Sequence, residues 1–533
     1  MMMKIRKNIL LGTMLIAGIS LAYGQGNPGI DYYEAGDYPA AKEYFLKKGN
    51  MDAADRYYLG EIYFKEKKTD SAQFHFSKGL ELDPSNLLNT VGLAKVQLGV
   101  KGTDEQLNSI GKDRKNRKNA HLLAAVAEAY LDNNRPSDAA NYLERSISAN
   151  KQSPYAYVLK GDIAAKAGNT GEAATNYESA IYFAPAYKAP YVKLARLYEN
   201  IRTQVALDYL RKVIQLDPQY IPGHLTLSQI NYRKGFYPDA LVAYEKYLSL
   251  VAPQPKDYEL YASILYFNKK HAQVIDAIKK APTNLVMNRL KMYSLFELGD
   301  YAAALESADA FFKTANKNDL ITQDYTYYAQ LLSNNKRYGD AAQAYVGAYE
   351  ADSTNLEYLT QAANAFERAD DFPNAIKYLQ KSLEKNPENS LADLYALGAA
   401  NYSAGTRAEA FFPDSVKDKL TKENYLKEAD KIFAEMIEKY PDHYLGYFMR
   451  ARANFALDPE AEEGLAVPYY QQALEIMLPN LDERKNDILE SYRYLGFYYL
   501  GQNNVPQAKN FWGKVLEISP TDETALQVIN SLR

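Results

Sequence analysis

The chain has 533 residues, no cysteine and a formal charge of −4. The missing cysteines exclude disulfides, thiolate metal sites and a lipid-modified N-terminal cysteine, and the mildly acidic balance argues against nucleic acid, whose binding needs a basic face. An apolar fraction of 47%, with 48 tyrosines against 19 phenylalanines and one tryptophan, is that of a packed protein.

In chain order, residues 1–24 read first as a secretory signal. Lys4, Arg6 and Lys7 supply the positive start, an apolar run follows from Ile9 to Leu21, and Ala22-Tyr23-Gly24 offers a cleavage site before Gln25. The run falls short of the about 20 apolar residues that span a bilayer. An uncleaved inner-membrane anchor is the competing reading. Cleavage would take the formal charge from −4 to −7. No later stretch resembles a membrane span. The expected location is therefore the periplasm, with outer-membrane association only through a partner.

From residue 25 to about 390 a short signature recurs, an alanine followed four places later by a bulky residue. It appears at Ala139-x3-Leu143, Ala173-x3-Tyr177, Ala206-x3-Leu210 and Ala240-x3-Tyr244, with steps of 34, 33 and 34 residues between the alanines. It returns at Ala341-x3-Tyr345 and Ala375-x3-Leu379, again 34 apart. Residues four apart share one helix face, and a period of this size belongs to stacked helical hairpins, each too small to bury its apolar face alone. Fuller copies add a small residue upstream and a proline downstream. Leu59-Gly60-x2-Tyr63 leads to Ala72-x3-Phe76 and Pro84, and Leu495-Gly496-x2-Tyr499 leads to Ala508-x3-Trp512 and Pro520. On these residues the chain resembles the tetratricopeptide repeat family over nearly its whole length beyond residue 24. The resemblance implies an all-α fold, a right-handed superhelix of about 14 helix–turn–helix motifs.

Several motifs are degenerate. The first has Gly36-Asp37-Tyr38 and Ala41-x3-Phe45, which place its first helix across 22–35, where signal cleavage would truncate it. The third, around 86–119, lacks the alanine, and Thr103-x2-Gln106 is a candidate cap for a short replacement helix. The eighth has Val274 in the alanine's place, and the ninth has Ala308 in the bulky place. From 391 to 521 the array is irregular. Ala429 lies 54 residues after Ala375, which predicts some 20 inserted residues near 403–424, and Ala466 and Ala508 are spaced widely enough to predict further loop. Residues 522–533 read as a capping helix, as solenoid ends require.

The resemblance also implies a groove lined by fixed places of each first helix. These places put Tyr57, Glu61 and Phe64 on it, then Tyr155 and Asp162, Arg196 and Glu199, Gln229 and Tyr232, and finally Arg289 and Tyr293. Tyrosine and arginine are enriched at binding hot spots, so a protein or peptide partner is the expected occupant. The Lys/Asn set with which some family members clamp a C-terminal carboxylate is absent from the corresponding places, and Glu199 sits beside Arg196 and Arg233. A basic run from Lys112 to Lys118 reads as a solvated loop, and Phe411-Phe412-Pro413 as either a docking tooth or a segment folded back. None of the five histidines, His75, His121, His224, His271 and His443, lies three to five residues from another, so no local zinc pair is expected. Phosphate-loop, nucleophile-elbow and H-E-x-x-H motifs are absent. The expectation is a non-enzymatic scaffold without cofactor or metal, in envelope assembly, uptake or secretion. The alternative is a carbohydrate-binding or carbohydrate-active helical protein.

Overall fold

A computed structural model describes residues 27–532 apart from 387, 389 and 412–415, and among these residues there is no strand. The expected signal segment at 1–24 and most of the Phe411-Phe412-Pro413 tooth lie outside them. The chain divides into two compact units at Pro282/Thr283. The boundary expected near 390 marks a change in repeat regularity, which is a different property.

The first unit pairs α1 (Pro28–Glu34) with α2 (Tyr38–Lys47), α3 (Ala53–Lys65) with α4 (Thr69–Leu82), α5 (Leu87–Lys101) with α6 (Glu105–Lys112), and α7 (Ala120–Asp132) with α8 (Pro136–Ala149). It continues with α9 (Tyr155–Lys166) and α10 (Thr170–Phe183), α11 (Ala189–Tyr198) and α12 (Thr203–Leu216), α13 (Ile221–Arg233) and α14 (Tyr237–Leu250), and α15 (Asp257–Phe267) and α16 (His271–Ile278). The second unit holds α17 (Leu285–Glu297), α18 (Tyr301–Thr314), α19 (Thr322–Asn334), α20 (Tyr338–Ala351), α21 (Glu357–Arg368), α22 (Phe372–Lys385), α23 (Leu391–Phe411) and α24 (Val416–Lys439). It ends with α25 (Tyr444–Leu457), α26 (Val467–Met477), α27 (Leu481–Gly501), α28 (Val505–Ile518) and α29 (Glu523–Ser531).

The alanine signature is in phase with these pairs. Ala41, Ala72, Ala139, Ala173, Ala206, Ala240, Ala304, Ala341, Ala375, Ala429, Ala466 and Ala508 are all 0% exposed, as is Val274 in the substituted place. Each alanine lets the helices of a pair approach, and the bulky residue one turn on fills the space beside it. Phe76 shows the arrangement in full. It is completely buried, a Cβ added at Gly60 of α3 would lie 2.5 Å from its ring, and Gly92 of α5 presses on the same ring from the next pair. Between the helices of a pair one residue takes a left-handed conformation. It is glycine at 36, 168, 235 and 299, but Lys67, Asn134, Lys269, Lys336, Asp370 and Asn503 hold the same place, with φ between +57° and +82°.

The degenerate motifs resolve in physical terms. Helix α1 is capped by Asn27, whose side chain accepts from the Gly29 and Ile30 amides. It therefore starts beyond the expected cleavage site instead of being cut by it. The replacement helix α6 exists, but its N-cap is Asp104 and no side chain caps it, so the Thr103 cap does not form. Leu107 and Ile110 anchor it in the core beside Leu143. The insertion near 403–424 is not simply loop: it lengthens the pair, with α23 running 21 residues and α24 running 24. The wide spacing after Ala466 is likewise taken up by α27, 21 residues long with a kink at Arg484. The bend before α26 is held by buried Asp458, whose carboxylate accepts from the amides of Glu462, Glu463 and Gly464.

Candidate binding groove

In the first unit the first helices of the pairs turn their inner faces toward one cavity of about 90 Å³. Tyr33 and Glu34 of α1, Tyr58 of α3, His121 of α7, Tyr155 of α9 and Lys193 of α11 are among its walls. The space holds a few water molecules and no peptide. The inner face here is filled by the chain's own α1.

The residues expected on a groove are distributed accordingly. Tyr57 is buried, its ring 6.0 Å from that of Phe76. Glu61 is buried against Lys95 Nζ at 2.5 Å, and the same ammonium lies 4.7 Å from the Phe64 ring. Tyr155 stacks on His121 with centroids 3.8 Å apart. Asp162 accepts from the Tyr177 hydroxyl at 2.7 Å and from Lys193 Nζ at 2.8 Å. The Arg196 guanidinium donates to the Ala35 carbonyl at 2.5 Å and to Thr226 Oγ1 at 3.3 Å. Glu199 pairs with Arg233 through two bonds of 2.5 and 2.8 Å, which explains why Arg196 and Arg233 form no joint anion site. Gln229 and Tyr232 are half-buried on α13. Tyr232 meets Phe267 at 5.8 Å, and Tyr237 stacks on Phe267 at 4.5 Å. In the second unit Arg289 and Tyr293 converge on Asp324, which is 0% exposed, with bonds of 2.7 Å from Arg289 Nε and from the Tyr293 hydroxyl. Thus Tyr57, Tyr155 and Asp162 wall the cavity of the first unit, Glu61, Phe64, Arg196 and Glu199 are engaged with other residues of that unit, Gln229 and Tyr232 are half-buried on α13, and Arg289 with Tyr293 form a cluster in the second unit.

Models described as tetratricopeptide repeat match residues 56–86, 125–188 and 191–220. The chain is a tetratricopeptide repeat protein. It is similar to Stress-induced-phosphoprotein 1 of Caenorhabditis elegans, with 19% identity over 339 residues, 63% of this chain and 81% of the relative. Among solved structures it is similar to the C-terminal part of a TPR repeat-containing protein from Cytophaga hutchinsonii, with 27% identity, coverage of 50% of this chain and 98% of that one, and a TM-score of 0.38. A tetratricopeptide repeat protein from Parabacteroides merdae matches at 12% identity, covering 52% of this chain and 98% of its own, with a TM-score of 0.27. The repeats make the protein an all-α scaffold for protein–protein interaction.

Four inner-face residues of this TPR protein, Lys65, Lys95, Glu128 and Asp132, carry no signature in the repeat pattern. Lys95 of α5 is buried between Glu61 and Asp132, at 2.5 Å from each. Lys65 pairs with Glu128 at 2.8 Å and with Asp132 at 3.7 Å. Carboxylate oxygens of Glu61, Glu128 and Asp132 lie within 4.8 Å of one another, the spacing of a metal site. The two ammonium groups already supply the positive charge that such a trio needs. Burial raises Glu61 against the pull of Lys95, whereas Asp132, raised by the same burial, is carried below its ordinary value by Lys95 and Lys65. No helix among the described residues is long and apolar enough to cross a membrane.

Burial also acts on the cavity's own titratable groups. It pushes Glu34 up to about 8, helped by the charge of Asp31, and pushes His121 down to about 4 against the opposing charge of Glu128. His121 is therefore neutral in the folded protein at pH 7. A histidine with a depressed folded pKa gives stability that is full above about 6.5 and is lost as pH falls toward about 4. His121→Phe keeps the stack on Tyr155 without the titration. The difference in unfolding free energy between the variant and the parent chain, from urea titration, is expected to be constant above pH 7. It should move in the variant's favour by about 3 kcal/mol as pH falls to 4. A difference that stays flat across that window would mean that His121 is not held neutral.

Proposed function

We propose that this TPR protein is an exported scaffold that works in the periplasm of a Gram-negative cell, binding one or more envelope proteins or peptides. The reading rests on a repeat array that follows directly on a segment with a positive start, an apolar run and a small-x-small site. Outer-membrane assembly, nutrient uptake and secretion are all contexts that such a scaffold serves, and with no cysteine the chain reaches a membrane through its partner.

The half-open aromatic edge at α13–α15 is where the scaffold meets that partner. Phe236 and Phe267 are 46% and 44% exposed and continue the Tyr232–Tyr237 cluster, an apolar patch of the kind that marks an interaction site. Fractionation of cells that express the full chain, with N-terminal sequencing, should place it in the periplasm starting at Gln25. Affinity capture from envelope extract should retain a partner that Tyr232→Ala/Phe267→Ala reduces about tenfold, a typical loss for a hot-spot pair, with the circular dichroism intact. A full-length chain in the cytosol sinks the location, and capture unaltered by the double change sinks the edge as the docking place.

A further inference from the structure

The α1–α2 hairpin is held from two sides that lie far apart in the sequence. On one side it is the neighbour of α3: Asn27 Nδ2 donates to Asp55 Oδ1 at 2.7 Å, and Lys48 pairs with the same carboxylate at 2.6 Å. On the other side it lies against α11, α13 and the α14–α15 connection. Ala35, 1% exposed, joins the apolar cluster of Tyr191, Val192 and Ala195 with Tyr220 and Ile230. Arg196 holds its carbonyl. Lys188 Nζ reaches Asp31 at 3.2 Å and Asp217 at 3.0 Å, and Lys256 pairs with Glu43.

Both sides carry ion pairs. The contact with α11–α15 is incompletely packed. It leaves a cleft of about 330 Å³, walled by Pro28, Tyr32, Tyr44, Ile221, Tyr247 and Leu250 among others. Elsewhere in the same contact the Tyr220 hydroxyl is buried with no hydrogen-bond partner among the described residues. Buried groups left in this state weaken an interface by the full cost of their lost hydration. Charge is sorted across the seam. Each ion pair that crosses the seam has its acid on the hairpin, Asp31 and Glu43, and its base on the opposite face, Lys188 and Lys256, with Arg196 on the Ala35 carbonyl, although Lys47 and Lys48 of the hairpin and Asp217 and Asp257 opposite also lie at the seam. Residues 48–52, between Lys47 and Ala53, are a short non-helical hinge.

We infer that the face formed by α11, α13 and the α14–α15 connection is a docking surface for a short acidic, tyrosine-bearing helix, and that α1 is its built-in occupant. A partner helix of the same chemistry takes the surface when the α1–α2 hairpin swings out on its hinge. The inference rests on the scaffold reading and names the chemistry of one partner. Breaking the seam from the hairpin side leaves the receiving face untouched, so Asp31→Lys/Glu43→Lys opens it without altering Lys188, Arg196 or Lys256.

The probe is a fluorescent synthetic peptide of residues 27–48, added to the full chain. Anisotropy should show the opened variant binding the peptide at least tenfold more tightly than the parent chain does. Because the chain has no cysteine, Glu43→Cys/Lys256→Cys can be bridged with a short bismaleimide, and bridging should abolish the peptide binding that the same double-cysteine chain shows before it is bridged. Equal binding by the parent, opened and bridged chains overturns the inference. Should the opened variant fail to fold, hydrogen exchange on the parent chain decides: the amides of α1 are expected to exchange at least tenfold faster than those of α3, and equal protection overturns it. Envelope capture through Tyr232 and Phe267 is indifferent to either result, so failure here leaves the scaffold reading standing.

Discussion

Phe76→Ala is expected to destabilise the first unit by about 3–5 kcal/mol, the cost of emptying a fully buried aromatic site. Phe76 has no exposed surface and is gripped by Gly60 and Gly92, one from its own pair and one from the next. Its loss opens a void that rigid helix backbone on two sides closes poorly. The complementary change presses from the other direction. Gly60→Ala puts a methyl group 2.5 Å from the ring, which has nowhere to move because Gly92 backs it, and overpacking of this kind costs about 1–3 kcal/mol. Combining Gly60→Ala with Phe76→Leu trades the added volume for a smaller branched side chain. That double variant should recover part of the loss, which simple additivity of two destabilising changes forbids. Urea unfolding of these three variants and of Phe76→Leu alone measures all of this. Additive losses in the double variant would show that the glycine and the ring do not share one space.

That grip was legible from residue order. Leu59-Gly60-x2-Tyr63 and Ala72-x3-Phe76 say which small residue faces which large one, because the packing partners lie within one repeat and one period. The left-handed turn was legible only where glycine marks it. Gly36 and Gly299 announce it, whereas Lys67, Lys269 and Lys336 adopt the same conformation with a residue that gives no sign. The length of the insertion after Ala375 was readable and its form was not, since extra residues in helical register lengthen helices as readily as they make loop. The closure of α1 on α11–α13 was hidden for a different reason. Arg196 and Ala35 are 161 residues apart, and a periodic pattern specifies neighbours in the stack and nothing beyond them. For the same reason Arg196 read as a free hot-spot arginine, although its guanidinium is tied to a backbone carbonyl of the same chain. One missed residue did leave a mark. Lys95 is the single charge between Leu87 and Leu98, in a helix otherwise apolar or neutral, and a lone lysine in such a helix either reaches the surface or is buried with a partner.

Lys95→Met tests which of these it is. The ammonium is 1% exposed, with Glu61 equally buried and Asp132 beside it, and breaking a buried pair from one side costs about 3–5 kcal/mol because the remaining charge is stranded. Methionine fills nearly the same volume and keeps the contact with Phe64, so the loss is electrostatic rather than a cavity. The sign of its pH dependence follows from Glu61. Burial already raises that carboxyl above its ordinary value, and Lys95 is the chief group that opposes the rise. Without Lys95 the folded pKa climbs further, and a raised folded pKa gives stability that is present at low pH and lost as pH rises. The deficit of Lys95→Met against the parent chain should therefore be smaller at pH 5 than at pH 8. Adding Glu61→Met removes the stranded charge. Asp132 still has Lys65 at 3.7 Å and a side chain 23% open to solvent, so the double variant should return to within about 1 kcal/mol of the parent, as apolar replacements of buried ion pairs do. Thermal or urea unfolding at the two pH values distinguishes the cases. A deficit that is equal at both, and that Glu61→Met fails to repair, would mean that Lys95 acts through the packing of its aliphatic stem against Phe64 and not through its charge.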